Sequence, residues 1–193
     1  MTLTTAKRFT ITEYHRLAEL DFFTEDDRVE LIKGEIIKMV AKGRPHSVCN
    51  TRLYKELFKL LEEKATIRGQ EPIIITNNSE PEPDLTIVKN TPDDYFLNHP
   101  IPSDIFLIIE VADSSLKYDQ EVKLSLYAEA GISDYWIFNL IVYHLECYSE
   151  PYQDLQGTFG YRHKSIILPK ESVKLPSFPE LILDLTKVFP GKN

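Results

Sequence analysis

Residues 105–109 read Ile-Phe-Leu-Ile-Ile, five apolar side chains in succession, and the sixth residue is Glu110. A strand with one face in water alternates apolar and polar residues, whereas a strand apolar at every position is covered on both faces. The chain must therefore lay other elements on each side of this strand, which makes it the centre of a layered sheet domain.

The flanking sequence supplies those elements. Thr10 to Leu20 predicts a short helix, with Thr10 or Thr12 as cap and Tyr14, Leu17 and Ala18 at helical spacing. Asp26 to Val40 predicts a hairpin that turns at Lys33-Gly34. Pro45 to Lys64 predicts a long helix with Val48, Leu53, Leu57, Leu60 and Leu61 as its apolar stripe. Thr66 to Thr76 contains a β-rich run, Ile73-Ile74-Ile75, and Leu85 to Val88 reads as a short strand entered through Pro81-Glu82-Pro83-Asp84. Asp119 to Ala130 predicts a helix ended by Gly131. Beyond it, 135–138 and 141–148 read as a hairpin, 161–168 as a further strand, and 181–189 as a strand end with a helical turn. This order implies a mixed α/β (α+β) fold, one domain over 1–193 with a curved mixed β-sheet flanked by helices.

Composition excludes some classes. Hydrophobic residues are 42% and charged residues 27%, as in a globular rather than a disordered chain. Cys49 and Cys147 have neither zinc-site nor disulfide-framework spacing and read as reduced thiols. No apolar run has transmembrane length and no signal core opens the chain, so the expected location is cytoplasmic, away from membranes. A net charge of −8 argues against indiscriminate binding of nucleic acid. Yet 33–68 holds nine bases, Arg44 and Arg52 among them, against four acids. That stretch is either a solvated face or a surface for phosphates.

Chemistry enters where charge meets apolar pattern. An ionised Glu110 buried alone would cost several kcal/mol, on the order of the penalty for an unpaired buried ion, so it needs a partner, a proton, a metal or water at the sheet's edge. Asp84 opens a strand directly after Pro83. If the two strands are neighbours, the two acids converge, and a hard divalent cation such as Mg²⁺ relieves their repulsion. Lys123 falls on the helical face of Val122, Leu126, Tyr127 and Asp119, so it points inward. Each residue also has a plainer reading. Glu110 can end a strand in water, Asp84 can be a turn acid, and Lys123 can snorkel or pair with Asp119. Glu30 can be a solvent-facing strand acid and His46 a surface or capping histidine.

Together these residues resemble a known family. The strings Val29-Glu30-Leu31-Ile32-Lys33-Gly34-Glu35-Ile36, Pro45-His46, Glu82-Pro83-Asp84-Leu85 and Ile108-Ile109-Glu110-Val111-Ala112-Asp113-Ser114-Ser115 come in order. Asp119, Lys123, Tyr127, Gly131 and Tyr135-Trp136-Ile137 follow. This set resembles the Uma family of restriction endonucleases, in the PD-(D/E)XK superfamily, over nearly the whole chain. The resemblance implies a restriction-endonuclease-like core and hydrolysis of DNA phosphodiesters with Mg²⁺, or Mn²⁺ in its place. It implies Asp84, Glu110 and Glu30 as metal ligands, Lys123 as the catalytic lysine, and His46, Arg44, Arg52 and Tyr127 along the cleft. The parent superfamily carries its lysine two residues after the second acid, where this chain has Ala112; the family pattern moves it to the following helix, where Lys123 matches. A homodimer is expected by analogy alone. Two other readings stand beside the endonuclease: a nucleic-acid-binding module that does not cut, favoured by the net charge and Ala112, and a partner-binding protein whose charges form a salt-bridge cluster.

Overall fold

The computed structural model describes residues 5–24 and 26–191. Helix α1 (Ile11–Glu19) starts at Thr10, whose hydroxyl accepts from the Glu13 N–H while the Glu13 carboxylate accepts from the Thr10 N–H. Strands β1 (Val29–Ile32) and β2 (Glu35–Lys38) form the expected hairpin around Lys33-Gly34. Helix α2 (Arg44–Leu61) follows, with Pro45 in its first turn and Cys49, Leu53, Leu57 and Leu61 buried.

The central sheet has six strands in the order β3-β4-β5-β6-β7-β8. They are β3 (Thr66–Gly69), β4 (Leu85–Val88), β5 (Ile105–Ala112), β6 (Asp134–Asn139), β7 (His144–Gln153) and β8 (Phe159–Ile167). Among the described residues of this sheet, only β5 and β6 pair in parallel. A parallel neighbour needs a crossover, and helix α3, residues 116–129, provides it. A hairpin of β9 (Ser172–Leu175) and β10 (Phe178–Asp184) closes the chain beside α2.

Strand β5 is central and sandwiched, as its apolar run requires. Leu107, Ile109 and Val111 join the core under α2, with Leu53, Leu57, Trp136 and Phe138. Ile108 and Ala112 join the opposite core, with Leu126 and Tyr127 of α3 and with Tyr135 and Ile137. The two-residue pleat therefore sends Glu110 toward α3.

Three expectations shift. Ile73–Ile75 is extended but lies outside the named strands: its N–H groups go to carbonyls of Pro81, Pro100 and Ser79. Within 66–76 the edge strand is the first part, Thr66–Gly69, which finds a full ladder on β4. Strand β7 begins at His144, because 140–143 makes the turn that carries the chain back from β6. The third helix starts as α at Leu116–Tyr118, passes through a π-helical stretch at Asp119–Lys123, and resumes as α at Leu124–Glu129.

The hairpin's turn depends on glycine. Gly34 has φ +79°, and a Cβ there would lie 2.7 Å from Arg8 Cβ and 3.1 Å from the Phe9 backbone. We expect Gly34→Ala to lower stability by about 1–3 kcal/mol, read as a lower urea midpoint at unchanged slope. A variant as stable as wild type would contradict this packing.

Candidate active site

The β4–β5 register builds the site. Leu85 pairs with Ile109, so one step further Asp84 stands opposite Glu110, on the face toward α3. The ladder gives way there to side-chain bonds. The Asp84 N–H donates to Glu110 Oε2 at 3.3 Å, and the Val111 N–H donates to Asp84 Oδ2 at 2.9 Å. Strand β1 brings in Glu30, buried to 2% exposure, whose Oε2 accepts from the Glu82 N–H at 3.2 Å.

Helix α3 answers these acids with a cation. Lys123 Nζ lies 2.8 Å from Glu110 Oε1 and 3.4 Å from Glu30 Oε2, and the Tyr127 hydroxyl donates to the same Glu110 oxygen at 3.1 Å. The π-helical stretch shapes this face: the Leu124 N–H reaches back to the Asp119 carbonyl. Asp119 and Lys123 both turn inward while Val122 turns out, 38% exposed. Single-turn π insertions recur at functional sites. The turn is pinned from the sheet. Tyr135 donates its hydroxyl to the Asp119 carbonyl at 3.2 Å, and Gln120 Nε2 lies 2.9 Å from both oxygens of Glu146.

On the opposite side Asp84 is held by Lys42 and His46. Lys42 Nζ reaches Oδ1 at 2.8 Å, and His46 Nε2, from the first turn of α2, reaches Oδ2 at 2.9 Å. The carboxylates face a cavity of about 280 Å³ lined by Glu30, Asp84, Glu110, Asp119, Lys42 and Lys123, with the 37–43 segment as one wall.

Environment separates the acids. Burial works against the ionised form of Asp84, but His46 and then Lys42 outweigh it and hold the carboxyl at about 2. Burial pushes Glu110 up to about 8, with Lys123 opposing and Asp119 and Asp84 adding repulsion. Burial likewise raises Asp119 to about 6, against Lys123 and the Ser115 hydroxyl. Burial disfavours the Lys123 ammonium, yet Glu110, Glu30 and Asp119 keep it charged well above the ordinary lysine range. The site thus has more negative charge than its own cations neutralise.

Hard carboxylate oxygens, two of them on adjacent strands, are the donor set of a magnesium-type ion that completes its shell with water and phosphate oxygen. Among the described residues, no group of three or more His, Cys, Asp or Glu side chains is set to hold an ion as it stands. The ammonium groups of Lys42 and Lys123 stand at the carboxylates instead.

The family model described as "Uma2: Putative restriction endonuclease" matches residues 11–186. The chain belongs to the Uma2 family. A crystal structure described as "a putative nuclease belonging to DUF820", from Anabaena variabilis ATCC 29413, matches with a TM-score of 0.69 at 16% identity. The match covers 94% of this chain and 97% of that one, and at such identity it shows a shared fold. No curated protein matches. Uma2 membership and the nuclease-like fold support a nuclease acting on nucleic acid.

Of the residues singled out in this Uma2 chain, Glu110, Lys123, Glu30 and Asp84 meet at one cavity. His46 also lines it and is buried, so it is no surface histidine. Tyr127 sits behind Glu110, fully buried, and contacts the carboxylate rather than the cavity mouth. Arg52 departs from the cleft: its guanidinium donates to the Phe189 carbonyl at 2.7 Å, on the side of α2 that faces the C-terminal segment. Arg44 is exposed and does not line the cavity. The other bases of 33–68 disperse, Lys33 to Glu129, Lys38 to Asp27, Lys59 to Glu56 and Arg68 to Glu71. Sequence reasoning missed Lys42, which lies in an irregular connection with no periodicity to mark it. It named Asp119 as a partner of Lys123 and as part of the family pattern but gave it no place in the site, and it passed over Glu146.

Glu146 is a second buried carboxylate, in the same cross-strand row as Glu110 through Ile137. It accepts from Asn139 Nδ2 at 2.9 Å and Tyr148 at 2.6 Å, and pairs with Lys164 at 2.7 Å. Burial opposes its charge, but Lys164, Tyr148, Asn139 and Gln120 overcome that and hold it at about 2 instead of 4.5. A depressed folded-state value adds stability above the unfolded pKa and loses it as pH falls through the folded one. We expect Glu146→Gln to cost on the order of 1.5–3 kcal/mol at neutral pH. The gap to wild type should stay constant above about pH 5 and close between pH 4.5 and 2 in urea titrations. A gap independent of pH would show that the charge contributes nothing.

Proposed function

We propose that this protein is a metal-dependent endonuclease that hydrolyses phosphodiester bonds of DNA, with Mg²⁺ as its ion and Mn²⁺ as a substitute. The observation that carries this reading is the position of one ammonium group. Lys123 reaches Glu110 from the helix at 2.8 Å, while Ala112, where the parent pattern has lysine, packs in the core beneath. A cation beside the second acid is thereby kept although its usual place in the strand is vacant.

In this reading Asp84 and Glu110 hold the ion, with Glu30 assisting. When bound, the ion lends Lewis acidity to a phosphate oxygen and to an attacking water. The protein's own groups do the rest. Glu110 is fixed by Tyr127 and by the Asp84 N–H, so its free lone pairs keep one direction. Asp84 is fixed by the Val111 N–H and His46. Lys123 orients the water and stabilises the charge that grows on the phosphoryl oxygens. Its high pKa makes it an electrostatic group and hydrogen-bond donor rather than a general base. The fit of Mg²⁺ rests on oxygen-only donors and the surplus of negative charge.

The test is plasmid nicking with Mg²⁺ or Mn²⁺ beside isothermal titration with Mn²⁺. Wild type should nick with either ion and stop in chelator. Lys123→Ala should nick about 10²–10³-fold more slowly while still binding Mn²⁺. DNA binding without metal-linked nicking would instead favour the non-cutting module, which the net charge of −8 suits.

A further inference from the structure

The acids of the cavity are not equally committed. Glu110 is bound by Lys123 and Tyr127, both enclosed in α3, and Glu30 by the Glu82 backbone and Lys123. Asp119 accepts from the Ser115 hydroxyl at 2.7 Å. Asp84 is divided. Its Oδ2 is fixed by the Val111 N–H and by His46 of α2, both parts of regular elements. Its Oδ1 has one hydrogen-bond partner among the described residues, the ammonium of Lys42.

Lys42 differs from every other donor at the site. It stands in the connection between β2 and α2, outside any ladder or helix. Its side chain is 20% exposed against 7% for Asp84, so it reaches in from the rim. The next residue is the exposed, extended Gly43. Lysine is a point charge on a flexible four-carbon stem and can re-aim without moving the backbone. A divalent ion on Asp84 would meet this ammonium at short range, and the two cations repel.

We propose that Lys42 is a displaceable counter-ion. It neutralises Asp84 Oδ1 in the cation-free protein, gives that oxygen up to the divalent ion, and then turns its ammonium to a DNA phosphate at the cavity mouth. This rests on the nuclease reading and adds to it a residue that changes partner. The consequence has two opposite signs. Removing Lys42 takes away a competitor for Asp84, so the ion binds more tightly. It also removes a phosphate contact, so DNA binds less tightly, and only when the ion is present.

The variants are Lys42→Met, which keeps the stem and loses the charge, and Lys42→Arg, which keeps the charge. By calorimetry without DNA, Lys42→Met should lower the Kd for Mn²⁺ by about threefold or more, the scale of one partly exposed ion pair. Lys42→Arg should stay near wild type. DNA affinity is then measured by anisotropy across a KCl series in a Lys123→Ala background, which suppresses cleavage. With Mn²⁺, adding Lys42→Met should weaken binding and flatten the log–log salt slope by about one. In chelator the slope should not change, because Asp84 already occupies Lys42. A misfolded variant would lose both ligands together, which this pattern excludes. An unchanged or weaker Mn²⁺ affinity in Lys42→Met, or a slope change that persists in chelator, overturns the proposal while a nicking wild type keeps the nuclease reading. A wild type that neither binds Mn²⁺ nor nicks overturns both.

Discussion

The Lys123–Glu110 pair, 2.8 Å apart and buried at the floor of the cavity, constrains everything around it. Each ion loses several kcal/mol of hydration on burial, on the order of what only close, well-aligned partners return. The pair is therefore costly to build, and costlier to break by removing one member. Its geometry requires β5 to pass directly beneath α3, which the β5-α3-β6 crossover ensures. It also requires the helix to aim Lys123 inward without withdrawing Asp119. The π-helical stretch meets both demands, at the expense of exposing Val122, which a regular apolar stripe would cover.

Pleat and register do the remaining placement. Asp84, Glu110, Ile137 and Glu146 form one row across four strands, all on the face under α3. Two of these carboxylates face the cavity, and Glu146 faces the helix that covers it. Glu146 is fully engaged by Gln120, Asn139, Tyr148 and Lys164, so its charge fastens α3 to the sheet. Glu110 is under-compensated and pushed up to about 8 by burial and by its acidic neighbours. The same residue type in the same row thus serves two ends, according to whether its partners satisfy it.

The parts of this arrangement legible in the sequence are those that periodicity encodes. An unbroken apolar run implied a strand covered on both faces, although which face Glu110 shares came only from the pleat of the folded strand. The α2 stripe and the inward angle of Lys123 follow from helical spacing. What escaped has no period. Lys42 lies in a connection, and only coordinates show which carboxylate it meets. The Ile73–Ile75 run has strand propensity but no ladder partner; its N–H groups bond to loop carbonyls, two of them prolines. Thr66–Gly69, with weaker propensity and a glycine, becomes the edge strand because β4 offers it four paired positions. The basic stretch stayed open between a solvated face and a phosphate surface for a related reason. Composition counts charges but not directions, and Arg52 spends its guanidinium on the Phe189 carbonyl.

Charge then bears on how a polyanion could approach at all. The cavity wall carries Glu30, Glu82, Asp84, Glu110, Asp113 and Asp119 against Lys38, Lys42 and Lys123, within a chain of net charge −8. A phosphodiester nearing that mouth meets repulsion, and the basic stretch 33–68 does not gather into one face to compensate, since several of its bases are paired with acids that lie in different directions. On the nuclease reading, the divalent ion then has two duties. It supplies chemistry, and it reverses the sign of the field at the point of attack. An acidic protein with an acid-lined cavity can admit a nucleic acid through cations it recruits, and binding and catalysis become dependent on the same ion.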